Sequence, residues 1–132
     1  MKDVINRLKT FIKNEEGTYD FYSGKLVNLL NGYMVSFHQN EADEEGHYKS
    51  HYGNYTNEEY DRLSNDFVSQ YKAEAYIGVY DTEPEISFKV AEFLKAVEAA
   101  KRYNQKSIWQ NAECLEWFNP DYNVKKNPMR GD

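Results

Sequence analysis

The chain of 132 residues has little of several features that define common protein classes. It has one cysteine, Cys114, which excludes an intramolecular disulfide framework and favours a cytoplasmic protein. It has no apolar run long enough to cross a membrane, and charges interrupt Met1 to Arg7, so we expect neither a transmembrane helix nor a signal peptide. Lys and Arg number 16 against 22 Asp and Glu, which argues against direct binding to nucleic acid. The length fits one domain that folds without a metal or a disulfide.

Apolar periodicities alternate along the chain and predict an α+β domain over residues 1–118. It would have a mainly antiparallel sheet of four to five strands, with three helices packed against it. Helical spacing predicts helices over residues 1–14, 56–72 and 93–104, and Thr56 with Glu59 forms a capping box at the start of the second. Alternation with period two predicts the strands listed here: 33–38, 75–80, 85–90, 107–109 and, more weakly, 114–118.

The remaining segments carry weaker or different signals. Residues 18–30 fit a short helix and a strand about equally, and residues 39–55 are typical of a long loop. Asp81 to Pro84 has turn-forming chemistry, so the two strands on either side of it form the best-defined hairpin. In the third helix, Phe93 and Leu94 belong to the side that we expect to be buried. Residues 119–132 contain few apolar side chains and are expected to form a poorly ordered tail.

Tyrosine is frequent, with 12 residues in the chain, and seven of them lie between Tyr48 and Tyr80. Two interpretations are open. Tyrosine is enriched at binding surfaces, where its ring supplies rigid contact area. It also replaces leucine at the edge of a thin core, with the ring inside and the hydroxyl outside.

Acidic charge is concentrated in the middle of the sequence. Residues 41–92 contain thirteen acids and four bases, a local charge of −9, whereas residues 1–14 have a local charge of +3. An acidic face mixed with tyrosines can imitate a nucleic-acid backbone and occupy the basic groove of a nucleic-acid-binding protein. The alternative is a solvated surface that only keeps the protein in solution.

The three histidines, His38, His47 and His51, lie close together in sequence beside the acids of residues 43–45. Imidazoles with a carboxylate are a common zinc-binding set. Glycines and polar residues in this segment argue against a helix that would align two of the ligands, and no pair of cysteines supports them. Histidines in an exposed loop are the simpler interpretation, so no metal or other cofactor is predicted.

No pattern typical of an enzyme is present. Cys114 lies between acidic residues and far in sequence from the histidines, so we expect a buried structural cysteine. The carboxylate pairs Glu58 with Glu59 and Glu83 with Glu85 are sufficiently explained by a helix start and a turn. The chain has no glycine-rich phosphate loop, nucleophile elbow or dinucleotide fingerprint. We therefore predict a protein that is not an enzyme.

Four short segments resemble a pattern of small acidic accessory proteins of Gram-positive phages and mobile elements. They are Gly32 to Phe37, Tyr76 to Tyr80, Glu85 to Phe88 and Tyr103 to Trp109. The resemblance implies a setting in which such proteins inhibit host defence nucleases, as anti-CRISPR proteins do. It assigns no catalytic residue.

These observations lead to one hypothesis and two alternatives. The hypothesis is an acidic, non-enzymatic phage protein in the bacterial cytoplasm that inhibits a basic nucleic-acid-handling host protein such as a Cas nuclease, without binding nucleic acid or membrane itself. Its predicted contact residues are Asp43, Glu44, Glu45, Tyr48, Tyr52, Tyr55, Tyr80, Glu83 and Glu85. One alternative is a protein, oligomeric or not, that sequesters a nucleotide-like molecule by stacking on Tyr and Trp. The other is a metal-dependent hydrolase that uses the three histidines.

Overall fold

A computed structural model describes residues 1–37, 55–80 and 83–123. These residues form three helices and one sheet of seven strands, which confirms the α+β class and adds strands to the four or five predicted. The helices are α1 (Val4–Lys9), α2 (Asn57–Tyr71) and α3 (Phe93–Arg102). The strands are β1 (Gly17–Asp20), β2 (Leu26–Val27), β3 (Tyr33–Val35), β4 (Glu74–Tyr80), β5 (Glu83–Val90), β6 (Ser107–Gln110) and β7 (Leu115–Phe118).

Every strand pairing in this sheet is antiparallel, in the order β2-β1-β4-β5-β3-β6-β7. The β4–β5 hairpin is confirmed and forms the centre of the sheet. Its register places Ile77 opposite Ile86 and Tyr80 opposite Glu83. The short strand β3 lies between β5 and β6, far from its neighbours in sequence.

All three helices pack on the same side of the sheet. The ring of Phe67 in α2 stacks on Phe88 of β5, with centroids 4.4 Å apart. Phe93 at the start of α3 contacts Tyr33 of β3 at 5.4 Å, and Phe11, just after α1, contacts Tyr19 of β1 at 5.4 Å. The described domain therefore has two layers, helices and sheet, with an aromatic core between them.

The second helix begins as predicted. The Thr56 side chain accepts a hydrogen bond from the backbone N–H of Glu59, and the Glu59 side chain accepts one from the backbone N–H of Thr56, so the capping box is confirmed. The predicted apolar face is buried throughout the helix; its members are Tyr60, Leu63, Phe67 and Tyr71. Periodicity and the cap together define this helix because each acts within a few residues.

The first helix is shorter than predicted, and the ambiguous segment after it forms two strands. α1 ends at Lys9 and Ile12 is exposed, whereas fourteen helical residues were predicted. The turn between β1 and β2 is fixed by Asp20, whose carboxylate accepts hydrogen bonds from the N–H groups of Tyr22 and Ser23 at 2.9 and 2.7 Å. This carboxylate holds the turn that the apolar pattern alone could not define.

The third helix is present, but its apolar face is narrower than predicted. Ala96 and Ala100 are buried, whereas Phe93 is 38% and Leu94 is 78% exposed, so the prediction that these two side chains are buried is wrong. α3 meets the sheet through small alanine side chains and through Phe93. Leu94, in the first turn, is left outside that contact.

The first residues of the predicted tail are attached to the domain. Asn119 is buried, and its side-chain amide donates to the carbonyl oxygens of Gln105 at 2.9 Å and Ala100 at 3.3 Å. Asn104 and Asn123 exchange two hydrogen bonds, of 2.8 and 2.9 Å. The described structure thus continues five residues beyond the predicted domain boundary at 118, and residues 124–132 lie outside it.

Candidate functional site

The side of the sheet that faces away from the helices carries exposed polar and aromatic residues. Along β5, Ile86 and Phe88 are buried beneath the helices, while Glu85, Ser87 and Lys89 point to the other side. We call that side the open face, because no helix among the described residues packs on it. The register assigns it Thr18, Asp20, Val27, Met34, Glu74, Tyr76, Gly78, Tyr80, Glu83, Glu85, Ser87, Lys89, Ser107, Trp109, Glu116 and Phe118.

Tyr80 and two glutamates lie together at the hairpin end of the open face. Glu83 is opposite Tyr80 in the register, and Glu85 is opposite Gly78. Because Gly78 has no side chain, the Tyr80 ring lies over it, and the Tyr80 hydroxyl comes within 3.5 Å of Oγ1 of Thr18 on β1. Tyr80 remains 56% exposed, and Glu83 is exposed beside it. This arrangement presents an aromatic ring and carboxylates on the same side of the hairpin.

A second group lies at the opposite end of the hairpin. The Tyr76 hydroxyl donates to Oε2 of Glu74 at 2.7 Å, and Nζ of Lys89 lies 3.3 Å from the same oxygen. Asp20 on β1 is opposite Tyr76 in the register. Lys89 thus neutralises Glu74 and is about 13 Å along β5 from Glu85, at the usual rise per residue.

The acids and Tyr76 alter one another's protonation. The hydrogen bond from Tyr76 lowers the pKa of Glu74, and Lys89 adds to that effect. Burial, followed by the neighbouring Glu74, raises the pKa of Tyr76 to about 12. The backbone N–H of Ser23 lowers the pKa of Asp20. These carboxylates are therefore ionised at neutral pH, so the open face bears negative charge.

Of the nine predicted contact residues, the structure describes four. Tyr80, Glu83 and Glu85 lie together on the open face. Tyr55 does not belong with them: it is 4% exposed, and its hydroxyl donates to the carbonyl oxygen of Phe37 at 2.9 Å. It is therefore a core residue, which corrects its assignment to a contact surface. The others, Asp43, Glu44, Glu45, Tyr48 and Tyr52, lie outside the described residues.

Most described tyrosines of the dense region serve the core. Tyr60 is fully buried, and Tyr55 and Tyr71 are each 4% exposed; all three belong to the core cluster. Tyr76 is 7% exposed but lies on the open face beside Glu74, which leaves Tyr80 as the exposed member in the described part of this region. Burial of these rings thus explains most of the tyrosine enrichment in this region, for which the sequence allowed both a core role and a surface role.

The other predicted chemistry finds no support in the described residues. Cys114 is exposed, so the prediction of a buried structural cysteine is wrong. Its backbone φ is 54°, in the left-handed region. His38, His47 and His51 lie outside the described residues, and within residues 1–37, 55–80 and 83–123 no group of three His, Cys, Asp or Glu could hold a metal ion. None of the helices that the structure describes is long and apolar enough to cross a membrane.

Sequence reasoning missed the contribution of β1 to the open face. Thr18 and Asp20 lie beside β4 because β1 pairs with it, with Thr18 opposite Gly78. Period-two alternation in residues 17–20 is too short to be detected, and the segment fitted a helix as well. The pairing of strands distant in sequence therefore had to come from the structure.

Comparisons of the chain with protein-family models, with curated proteins and with solved structures gave no match. The evidence on function is therefore the geometry and charge of the open face.

Proposed function

We propose that this protein is a non-enzymatic binding protein whose open face docks on a basic surface of a nucleic-acid-handling protein. The observation that carries the proposal is the grouping of Tyr80, Glu83 and Glu85 on one exposed end of the open face. Lys89, the cation that the described strands add to this face, is paired with Glu74 at the other end. The Tyr80 end presents an exposed aromatic ring and the exposed carboxylate of Glu83.

This combination suits a protein surface with Lys and Arg better than it suits a reacting substrate. Exposed carboxylates meet cationic side chains and speed encounter through their long-range field. An exposed tyrosine supplies contact area at a low cost in conformational entropy.

The resemblance to accessory proteins of phages and mobile elements makes a host defence nuclease the target that we propose. Such nucleases hold nucleic acid in a channel lined with Lys and Arg, and an acidic face inserted there competes with the phosphates. A Cas nuclease is the specific target to test first. The protein would then act by occupying the channel, without chemistry of its own.

The test measures binding of the protein to a purified Cas nuclease, with and without its guide RNA. We expect the double variant Glu83→Lys, Glu85→Lys to bind at least about tenfold more weakly, because repulsion replaces attraction at the contact. The matched control Glu98→Lys, Glu113→Lys makes the same change in net charge away from the Tyr80 end, and it should retain most of the affinity. Equal affinity of the wild type and the Glu83, Glu85 variant would overturn the proposal.

One observation favours the nucleotide-sequestering alternative. A shallow groove of about 410 Å³ is lined by Lys2, Arg7, Phe21, Tyr22 and other residues, and Tyr22 is 71% exposed. An aromatic ring beside cations suits a base with a phosphate. However, the Arg7 side chain already donates to the carbonyl oxygens of Phe21 and Tyr22, at 2.9 and 3.3 Å. A thermal shift with nucleotides that Tyr22→Ala removes would favour this alternative.

A further inference from the structure

The dipeptide Asn31-Gly32 lies directly before β3, and the sequence contains no second Asn-Gly pair. Asn31 is exposed, and Gly32 has a φ of 78°, a left-handed conformation that favours glycine. The carbonyl oxygen of Asn31 accepts a hydrogen bond from Nδ2 of Asn111 at 2.8 Å, and the carbonyl oxygen of Gly32 accepts one from the N–H of Asn111 at 3.1 Å. These contacts hold the turn beside the end of β6.

The side chain of Lys89 lies over this turn. A Cβ atom at Gly32 would be 2.7 Å from Cγ and 3.0 Å from Cδ of Lys89, so the missing side chain of Gly32 leaves room for the lysine. Nζ of Lys89 donates to Oδ1 of Asn31 at 3.4 Å and lies 3.3 Å from Oε2 of Glu74. The Lys89 side chain is 18% exposed. Packing of its stem therefore holds the ammonium against the side-chain amide of Asn31.

The backbone N–H of Gly32 is the second part of this arrangement. Within residues 1–37, 55–80 and 83–123 it donates no hydrogen bond, although the carbonyl groups on either side of it are both bonded to Asn111. A backbone nitrogen that follows asparagine can attack the carbonyl carbon of the asparagine side chain, and glycine hinders this attack least because it has no Cβ. The turn thus joins an available nitrogen to an amide whose oxygen is hydrogen-bonded to a cation.

We propose that Asn31 is a site of spontaneous deamidation, assisted by Lys89. Solvent base takes the proton from the Gly32 nitrogen, which bonds to Cγ of Asn31, and the bond from Cγ to Nδ2 breaks as ammonia leaves with a proton from solvent. Water then opens the resulting cyclic imide at either carbonyl, which gives aspartate or isoaspartate at position 31. Lys89 assists because its ammonium donates to Oδ1, the oxygen on which negative charge develops during the attack.

The reaction changes both the charge and the backbone at this turn. The new carboxylate competes with Glu74 for the ammonium of Lys89, which neutralises Glu74 in the unmodified protein. The isoaspartate product also lengthens the backbone by one atom between the two carbonyl oxygens that Asn111 binds, so it should loosen the contact between the turn and β6. None of this chemistry depends on the proposed binding to a basic partner.

The first test follows the folded protein at mildly alkaline pH by peptide mapping with mass spectrometry, which detects replacement of NH₂ by OH at each asparagine. We expect Lys89→Met to slow the reaction at Asn31 about three- to tenfold, the effect of losing one charge-assisted hydrogen bond at an exposed site. Lys89→Arg, the matched control, keeps a cationic donor and should react at nearly the wild-type rate. Glu74→Gln leaves the ammonium to Asn31 and should react at least as fast as the wild type. Equal rates in the wild type and Lys89→Met, or a slower reaction in Glu74→Gln, would overturn the proposal.

The second test compares the folded protein with a synthetic peptide of residues 28–35, which contains the same Asn-Gly pair without the contact to Lys89. We expect Asn31 to react in the folded wild type at least as fast as in the peptide. Enzymatic methylation of isoaspartate should label the aged wild type and leave aged Asn31→Gln unlabelled. An Asn31 that stays intact in the folded protein while the peptide is converted would overturn the proposal.

Discussion

The ring of Tyr80 occupies the space above Gly78, where a Cβ atom would lie 3.1 Å from Cε2 of Tyr80. This is tighter than ordinary van der Waals contact, so Gly78→Ala should displace the exposed ring and break its approach to Thr18. We expect the free energy of unfolding to change by no more than about 1 kcal/mol, since alanine also reduces the freedom of the unfolded chain. Changes in the NMR signals of the Tyr80 ring, together with urea denaturation, would measure both effects.

The same substitution should weaken binding to a basic partner, because the ring leaves the surface formed with Glu83 and Glu85. The control is Tyr80→Phe, which keeps a ring over Gly78 and loses only the hydroxyl. Unchanged Tyr80 ring signals in Gly78→Ala would show that the contact over Gly78 does not hold the ring.

Asn119 anchors the chain that follows β7. Its buried amide donates to the carbonyl oxygens of Ala100 in α3 and Gln105 after it, and Oδ1 accepts from the N–H of Asp121. Asn119→Ala leaves buried groups unpaired and should lower the free energy of unfolding by about 1–3 kcal/mol. Asn28→Ala, at an exposed position, is the control and should be neutral in the same urea titrations. A neutral Asn119→Ala would mean that these hydrogen bonds do not hold the segment.

Thr56 caps α2 by accepting from the N–H of Glu59 at 3.1 Å. Thr56→Ala should cost about 1 kcal/mol of stability, as loss of an N-cap usually does. Thr56→Ser keeps the acceptor oxygen and should stay close to the wild type in thermal or urea unfolding. Equal losses in the two variants would assign the effect to the methyl group instead of the cap.

Tyr76 should make the protein sensitive to alkali. Its pKa is raised from 10.0 to about 12 in the folded state, first by burial and then by Glu74. The stabilising contribution of the protonated hydroxyl is therefore complete below pH 10 and is lost as the pH rises through 12. Burial also raises the pKa of Tyr71 and Tyr103, so the wild type must be compared with Tyr76→Phe.

Comparing the wild type with Tyr76→Phe isolates the contribution of Tyr76 to the pH dependence of stability. Between pH 10 and 12 the wild type should lose more stability than Tyr76→Phe, measured by urea unfolding at a series of pH values. Parallel pH dependence of the two proteins would show that Tyr76 has an ordinary pKa in the folded state.

Local sequence signals predicted the elements whose determinants are themselves local. The Thr56 cap and the period of Tyr60 to Tyr71 define α2, and alternation on both sides of a turn defines the β4–β5 hairpin. The strand order could not be predicted, since β3 enters between β5 and β6 through pairings distant in sequence. Leu94 fits the helical period but lies outside the contact between α3 and the sheet.

The same division applies to the candidate site: its hairpin residues were predictable from local sequence, and its contacts between distant segments were not. Strand alternation in the hairpin places Tyr80 and Glu85 on one side before any coordinates are known, whereas Glu83 was predicted in the turn and is in fact the first residue of β5. It cannot decide that Tyr55 is buried, because the ring lies against Phe37 with centroids 5.9 Å apart, a contact between separate segments. Strand alternation also cannot predict that Asp20 lies on the same face, because that depends on the pairing of β1 with β4.

NMR titration of the isotopically labelled protein with a short peptide of Lys and Arg residues tests directly whether the Tyr80 end of the open face binds a basic partner. We expect the largest chemical-shift changes at Tyr80, Glu83 and Glu85, and we expect them to diminish steeply as salt is added. Changes centred instead on the helix side of the domain, or changes at these residues that are indifferent to salt, would contradict this expectation.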